Sequence, residues 1–368
     1  MSKIKILCIL ILLLFFKIGN AQFHTLKIPQ LSNEVKEQQR LGVTDIIISY
    51  CSPTVNNRDV WNDTNVIPQE GEPIPWRAGA NMNTTIEFST DVIIEGMALK
   101  KGKYGFHIIP KSNNVYTLLF AHNNNLWGSY YLDIDKDITL SIDVNSEESP
   151  FSEKLDYEFF DWKANSVTIG LEWADRRIPF EVKVDINKTV VESFRSELRG
   201  INTYHWQAWN DAATWCLNHN TNIEEALQWA ERSINGGYGG FAANKNFSNL
   251  NTKARLLKRL KKDKDFKAVV NDIESIYSSP GEAFQFGREL LNFKEYESAL
   301  DFAIKARKKF SDTWFLAINE GLARYFLGNT EEAISIIEEV ISKAPQHYHN
   351  RFNTVVKEMK AGIYKIPN

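Results

Sequence analysis

Apolar and polar residues alternate with a period of two nearly everywhere from Asp45 to Ile186. Val167, Ile169, Leu171 and Trp173 alternate with Ser166, Thr168, Gly170 and Glu172. Phe180, Val182, Val184 and Ile186 alternate with Pro179, Glu181, Lys183 and Asp185, and Ile138, Leu140, Ile142 and Val144 with Asp137, Thr139, Ser141 and Asp143. Such alternation puts one face of a strand on a core and the other in water. Further strands are predicted over 45–50, 84–89, 91–95, 104–109, 115–121 and 155–160. Turn chemistry separates them at Glu95-Gly96, Lys101-Gly102, Pro110 to Asn114, and Asn123 to Asn125. Nine short strands with one apolar face each, and no helical pattern between them, predict an all-β domain over residues 22–186, an antiparallel β-sandwich or else a barrel, of which the sandwich is the expectation.

After Asn187 the period changes. Val190, Val191, Phe194 and Leu198 recur at helical spacing, and Gly200 ends that run. A phrase then repeats in which a charged turn leads into an alanine-anchored helix. It reads Asn222 to Ala226, Asp265 to Ala268, Glu295 to Ala299 and Asn329 to Ala333. Ala299 and Ala333 stand 34 residues apart, the period of tetratricopeptide repeats. In that frame Gly287 and Gly321 fall where two helices approach closely, Ala306 is a further small contact, and Pro345 closes the last repeat. The upstream intervals are 42 and 31 residues, and Gly236 to Gly240 interrupts the array. Residues 187–368 are therefore expected to form an all-α domain of tetratricopeptide-like repeats, whose surface suits a peptide or protein partner.

The first residues follow neither pattern. Lys3 and Lys5 precede an apolar run from Ile6 to Phe16, too short to span a bilayer as a helix, and Gly19-Asn20-Ala21 offers a cleavage site. Residues 1–21 are thus expected to be a signal peptide, with a mature chain from Gln22 that is exported to the periplasm or beyond. Cys8 lies within the signal, away from its cleavage end. Cleavage would remove Lys3, Lys5 and Lys17 and no acid, taking the formal charge from −3 to −6. A mildly acidic chain without a basic tract is a poor match for nucleic acid. Cys51 and Cys216, one in each half, could form one bridge, but small buried free thiols account for them as well.

Enzyme signatures are sparse. The Gly96 to Lys103 stretch has the wrong spacing for a phosphate loop and carries Tyr104 where a hydroxyl ligand is required. No His-Glu-x-x-His, Cys-x-x-Cys or Gly-x-Ser-x-Gly occurs, and no cofactor is expected. His347 and His349 flank Tyr348 with a spacing that a solvated helix end explains better than a metal. The least generic text is Trp76-Arg77-Ala78-Gly79-Ala80-Asn81, a loop that runs into the strand holding Thr85. Trp76, Arg77, Asn81, Thr85 and His107 form the candidate ligand site. Arg presents a planar fork to a carboxylate or phosphate, Asn pairs donor with acceptor, and Trp76 offers a stacking face, a set suited to a glycan, small ligand or peptide. By alternation His107 lies opposite Tyr104, Phe106 and Ile108. The alternative is that Arg77 and Asn81 satisfy loop carbonyls while Trp76 fills the core. A hydrolase would need paired acids, for which Glu87 and Glu172 are the candidates.

The loop, the following Thr84 to Ser89, and Gly102-Lys103-Tyr104-Gly105-Phe106-His107-Ile108-Ile109-Pro110 resemble the exported bacterial family called domain of unknown function 2911. Ser52-Pro53 and Glu172-Trp173 fit the same resemblance, which covers roughly residues 30–186. Ala78 replaces an expected Thr, and Asn57-Arg58 an expected Gly-Arg. The resemblance implies the fold and export, a helical extension in some members, and no chemistry. Three functions stand open: an exported, non-catalytic ligand or glycan module joined to an interaction domain; an envelope hydrolase using Arg77, Asn81 and His107; and a structural sandwich with the repeats as scaffold.

Overall fold

The computed structural model describes residues 29–366, so the expected signal peptide and the start at Gln22 lie outside the described residues. The chain divides into two compact units, with the boundary between Asp185 and Ile186.

The first unit is two antiparallel sheets. Its strands are β1 (Asn33–Leu41), β2 (Thr44–Ser52), β3 (Thr84–Phe88), β4 (Val92–Ile94), β5 (Met97–Leu99), β6 (Gly102–Pro110), β7 (Val115–Ala121), β8 (Ile138–Asn145), β9 (Glu147–Phe160) and β10 (Ser166–Lys183). One sheet has the order β1-β2-β3-β6-β7-β8 and the other β5-β4-β10-β9. Alternate residues of each fill the space between them. Phe106 meets Phe180 with centroids 5.7 Å apart, and Tyr50 meets Tyr157 at 4.8 Å. Burying an aromatic side chain of this kind stabilises the fold by about 1.5–3 kcal/mol. The expected sandwich is therefore present.

The strands missed by periodicity are edge strands or parts of them. β1 and β5 each end their sheet, and β9 ends the second sheet at its other side. Of β1 only Leu41 is buried, and the charged residues along it leave the edge unattractive to another chain. β9 begins at Glu147, not at Leu155, because its polar first half pairs with β10 without entering the core. The two strands expected over 166–186 are one strand. The register shifts on both sides of Ala174, whose φ is +51°: Glu172 pairs with Asp156, Ala174 with Ser152 and Arg176 with Glu148. The inward set therefore changes from odd positions, Val167 to Trp173, to even ones, Ile178 to Val182.

The second unit is helical. Its helices are α1 (Ile186–Glu197), α2 (Trp206–Asn218), α3 (Ile223–Asn235), α4 (Phe247–Arg259), α5 (Asp263–Ile276), α6 (Pro280–Asn292), α7 (Tyr296–Lys309), α8 (Leu316–Phe326), α9 (Thr330–Lys343) and α10 (His349–Lys360). From α2 onward they run as pairs, with α10 packed on α9. Ala226, Ala299 and Ala333 are each the fourth residue of their helix and fully buried. The equivalent position in α5 belongs to Phe266, which is buried, and not to Ala268, which is exposed. Charge pattern alone misplaced that repeat by two residues; its ring packs on Phe293 at 5.8 Å. Gly287 is needed where expected: a Cβ there would lie 2.5 Å from the Asn319 side chain on α8.

Candidate functional site

In the first unit the Trp76–Asn81 loop is held from below. Trp76 exchanges both backbone hydrogen bonds with Ile108, each 2.8 Å. The Ala78 carbonyl accepts from Thr84 Oγ1 at 2.8 Å and from the Tyr157 hydroxyl at 2.9 Å. Gly79 passes so close to the chain that a Cβ would sit 2.9 Å from Thr84 Oγ1 and 3.1 Å from the Cys51 carbonyl. The stacking face expected of Trp76 is not available. Its indole is buried, lies parallel to Trp173 with centroids 6.0 Å apart, and meets Trp61 edge-on. Trp76 belongs to the core, as the filler the alternative reading described.

His107 does lie on the opposite sheet face from Phe106, but that face is not open. Residues 122–133, which connect β7 to a helical turn at Ile134–Asp137, lie across it. Asn83 fixes this cover: its Oδ1 accepts from the Leu126 amide at 2.8 Å and its own amide donates to the Leu126 carbonyl. Beneath it His107 and Thr85 are buried, and His107 Nδ1 stands 2.7 Å from Ser129 Oγ. His107 Nε2 has no protein partner. Burial, reinforced by the positive charge of Arg77, lowers the His107 pKa to about 4, with Asp137 opposing, so the ring is neutral at pH 7.

Arg77 and Asn81 are the expected residues that reach the surface, both half-buried. Arg77 Nη1 donates to the Asn81 carbonyl at 2.7 Å, and the guanidinium lies 5.4 Å from the Tyr130 ring centroid. The cover exposes Trp127, Tyr130 and Tyr131 at 57%, 60% and 79%. These three aromatics and Ser129 were missed by sequence reasoning, because a loop has no periodicity from which to notice them. The signal available was the run Trp127-Gly128-Ser129-Tyr130-Tyr131, with three aromatics in five residues.

The paired-acid arrangement is not formed. Glu87 is on the outward face of β3 in the first sheet, because its neighbours Ile86 and Phe88 point inward. Glu172 is on the outward face of β10 in the second sheet, where Arg177 engages it. With the core between them, the two carboxylates point away from each other. Among the described residues no group of His, Cys, Asp and Glu could hold a metal ion. His349 Nε2 meets the Ala344 carbonyl at the end of α9, 2.8 Å away. Cys51 and Cys216 are free, and burial pushes the Cys216 thiol up to about 11.

The second unit holds a built cavity of about 480 Å³. Phe284 and Arg288 from α6, Ile318 and Leu322 from α8, and Arg351, Phe352 and Val355 from α10 line it, with Trp314, Phe315, Tyr348 and Tyr364. The spacing of 284 and 288, of 318 and 322, and of 351 and 355 puts each pair on one face of its helix. Trp314 meets Phe315, Tyr348 and Phe352, with centroids 5.7 to 6.2 Å apart. Volume and apolar lining both match small-ligand and side-chain pockets in general.

Residues 32–182, which lie within the first unit, match the model of the family described as protein of unknown function (DUF2911). None of the curated proteins matches the chain. Among solved structures, the chain is similar to a tetratricopeptide repeat protein from Parabacteroides merdae at 16% identity, covering 48% of this chain and 68% of that one, TM-score 0.36. It is similar to YrrB, a tetratricopeptide repeat protein with an unusual peptide-binding site, at 14% identity, 48% and 87% coverage and TM-score 0.31. MamA from Desulfovibrio magneticus RS-1 matches at 16% identity, 43% and 96% coverage and TM-score 0.29. Among the described residues no helix is long and apolar enough to cross a membrane.

Proposed function

We propose that this is an exported, non-catalytic binding protein whose helical unit holds a peptide segment of a protein partner in the cavity between α6, α8 and α10. The observation that carries the reading is the cavity itself: an aromatic-lined space of about 480 Å³ between successive helix pairs. Its size suits one or two side chains of an extended segment, and aromatic linings supply large contact area at low entropic cost. Export is supported by the Lys3 to Ala21 pattern.

Selection from a displayed peptide library on the mature chain tests this. Selected peptides should bind with micromolar affinity, and Phe284→Glu, a change at a half-buried lining position, should weaken them at least tenfold with unchanged melting temperature. Peptides that bind the Phe284→Glu variant equally well would remove the cavity from the function.

A second reading is favoured by a specific observation on the first unit. Tyr130 stands exposed beside Arg77, Trp127 and Tyr131 of the same segment are exposed too, and no ion pair engages that guanidinium among the described residues. Exposed aromatics beside an arginine suit a glycan or small anionic ligand. Thermal-shift screening of an oligosaccharide panel should give hits that Trp127→Ala abolishes, and a panel without such hits would leave the sandwich a structural role.

A further inference from the structure

We infer that the cavity of the helical unit selects an acidic peptide, whose carboxylates meet Arg288 and Arg351 while an apolar side chain fills the aromatic floor. The inference rests on the peptide reading above and adds its chemistry. The neighbouring arginines of this unit are neutralised within the chain. Arg307 Nη1 lies 2.7 Å from Glu320, Arg324 Nη2 lies 2.9 Å from the same acid, and Arg255 is paired with Glu289. Arg288 and Arg351 both line the cavity, and no carboxylate comes within 4 Å of either among the described residues. The polar group facing both is the Tyr364 hydroxyl. Burial raises its pKa, the two arginines oppose that rise, and Glu358 adds a smaller push in the same direction as burial. A protonated phenol contributes no negative charge, so half-buried Arg288 and exposed Arg351 are free to pair with carboxylates arriving at the mouth of the cleft.

Beyond Tyr364 a second cavity of about 510 Å³ includes Lys294 and Lys365, and neither forms an ion pair among the described residues. A chain of formal charge −3 thus places Arg288 and Arg351 in one cavity and Lys294 and Lys365 in the other, with Tyr364 between them. Residues 363–366 follow α10 without helical structure, with the Tyr364 ring against Tyr325 and Phe326.

Fluorescence anisotropy with matched fluorescein-labelled peptides tests the assignment on the full mature chain. One peptide carries a tryptophan anchor flanked by glutamates, and the other is identical with glutamines. The glutamate peptide should bind at least about tenfold more tightly. That advantage should shrink in 0.5 M salt and vanish in the Arg288→Gln/Arg351→Gln variant, which still binds the glutamine peptide. Because the first comparison uses the unaltered protein, a poorly folding variant cannot obscure it. Equal affinity for the two peptides would overturn the acidic preference and leave the peptide reading standing. Binding of neither would overturn both.

Discussion

His107 concentrates the energetics of the first unit in one ring. It is sealed beneath residues 122–133, held at Nδ1 by Ser129, and kept neutral by burial and by Arg77. Its folded-state pKa of about 4 lies below the ordinary 6.5, so on acidification the unfolded chain takes the proton first. Stability from this group is therefore complete above pH 6.5 and is lost as pH falls toward 4, by up to about 3 kcal/mol. Urea denaturation at pH 7 and pH 4.5 should show a smaller acid loss in His107→Gln than in the unaltered chain. Equal losses would mean that the ring is not the group that titrates. Arg77, separated from β6 by three strands along the chain, belongs to the same arrangement. Gly128 has φ of +66°, and a Cβ there would fall 2.5 Å from the Arg77 guanidinium, so a side chain at that point would strain the backbone and push the Arg77 head aside.

At the scale of elements, the helical repeats show what a periodic sequence specifies and where it misleads. Ala299 and Ala333 hold equivalent fourth positions in α7 and α9, as their 34-residue spacing predicted. In α5 a charged turn and an alanine also occur, yet the helix rotates Phe266 into that place because a ring buries far more apolar surface than a methyl. Phe266→Ala should cost about 3–5 kcal/mol in chemical denaturation, whereas Ala268→Ser should stay within about 0.5 kcal/mol. A large effect at Ala268 would restore the register read from charge. In the sandwich the corresponding case is Ala174. Each half of β10 has clean alternation, but the two are out of phase, and the phase change marks a bulge in one continuous strand.

For the whole molecule, each unit carries its own buried core: the aromatic interior between the sheets and the alanine-aromatic interior of the helix pairs. Two such cores need no shared surface to be stable. Residues 22–186 and 187–368 expressed separately should each fold, the first with the circular dichroism of strands and the second with that of helices. Collapse of either half to a disordered spectrum would show that its core is incomplete alone.

Sequence by itself determined the two kinds of domain and the place where one gives way to the other, because burial of one face imposes a period of two on strands and 3.6 on helices. It also marked the Trp76–Asn81 loop as unusual, since Trp, Arg, Gly and Asn in one turn carry local constraints legible without neighbours. Only the tertiary structure decided what those residues do. Trp76 joined a stack with Trp61 and Trp173, which come from distant parts of the chain. Glu87 and Glu172 were separated onto opposite outer faces, and residues 122–133 closed over His107 while leaving three aromatics in solvent. The cavity of the helical unit was equally invisible. Arg288 and Arg351 are 63 residues apart, and nothing along the chain distinguishes them from arginines that found acids. Which charges are neutralised is a property of spacing in three dimensions, and that spacing exists only after the helices have packed.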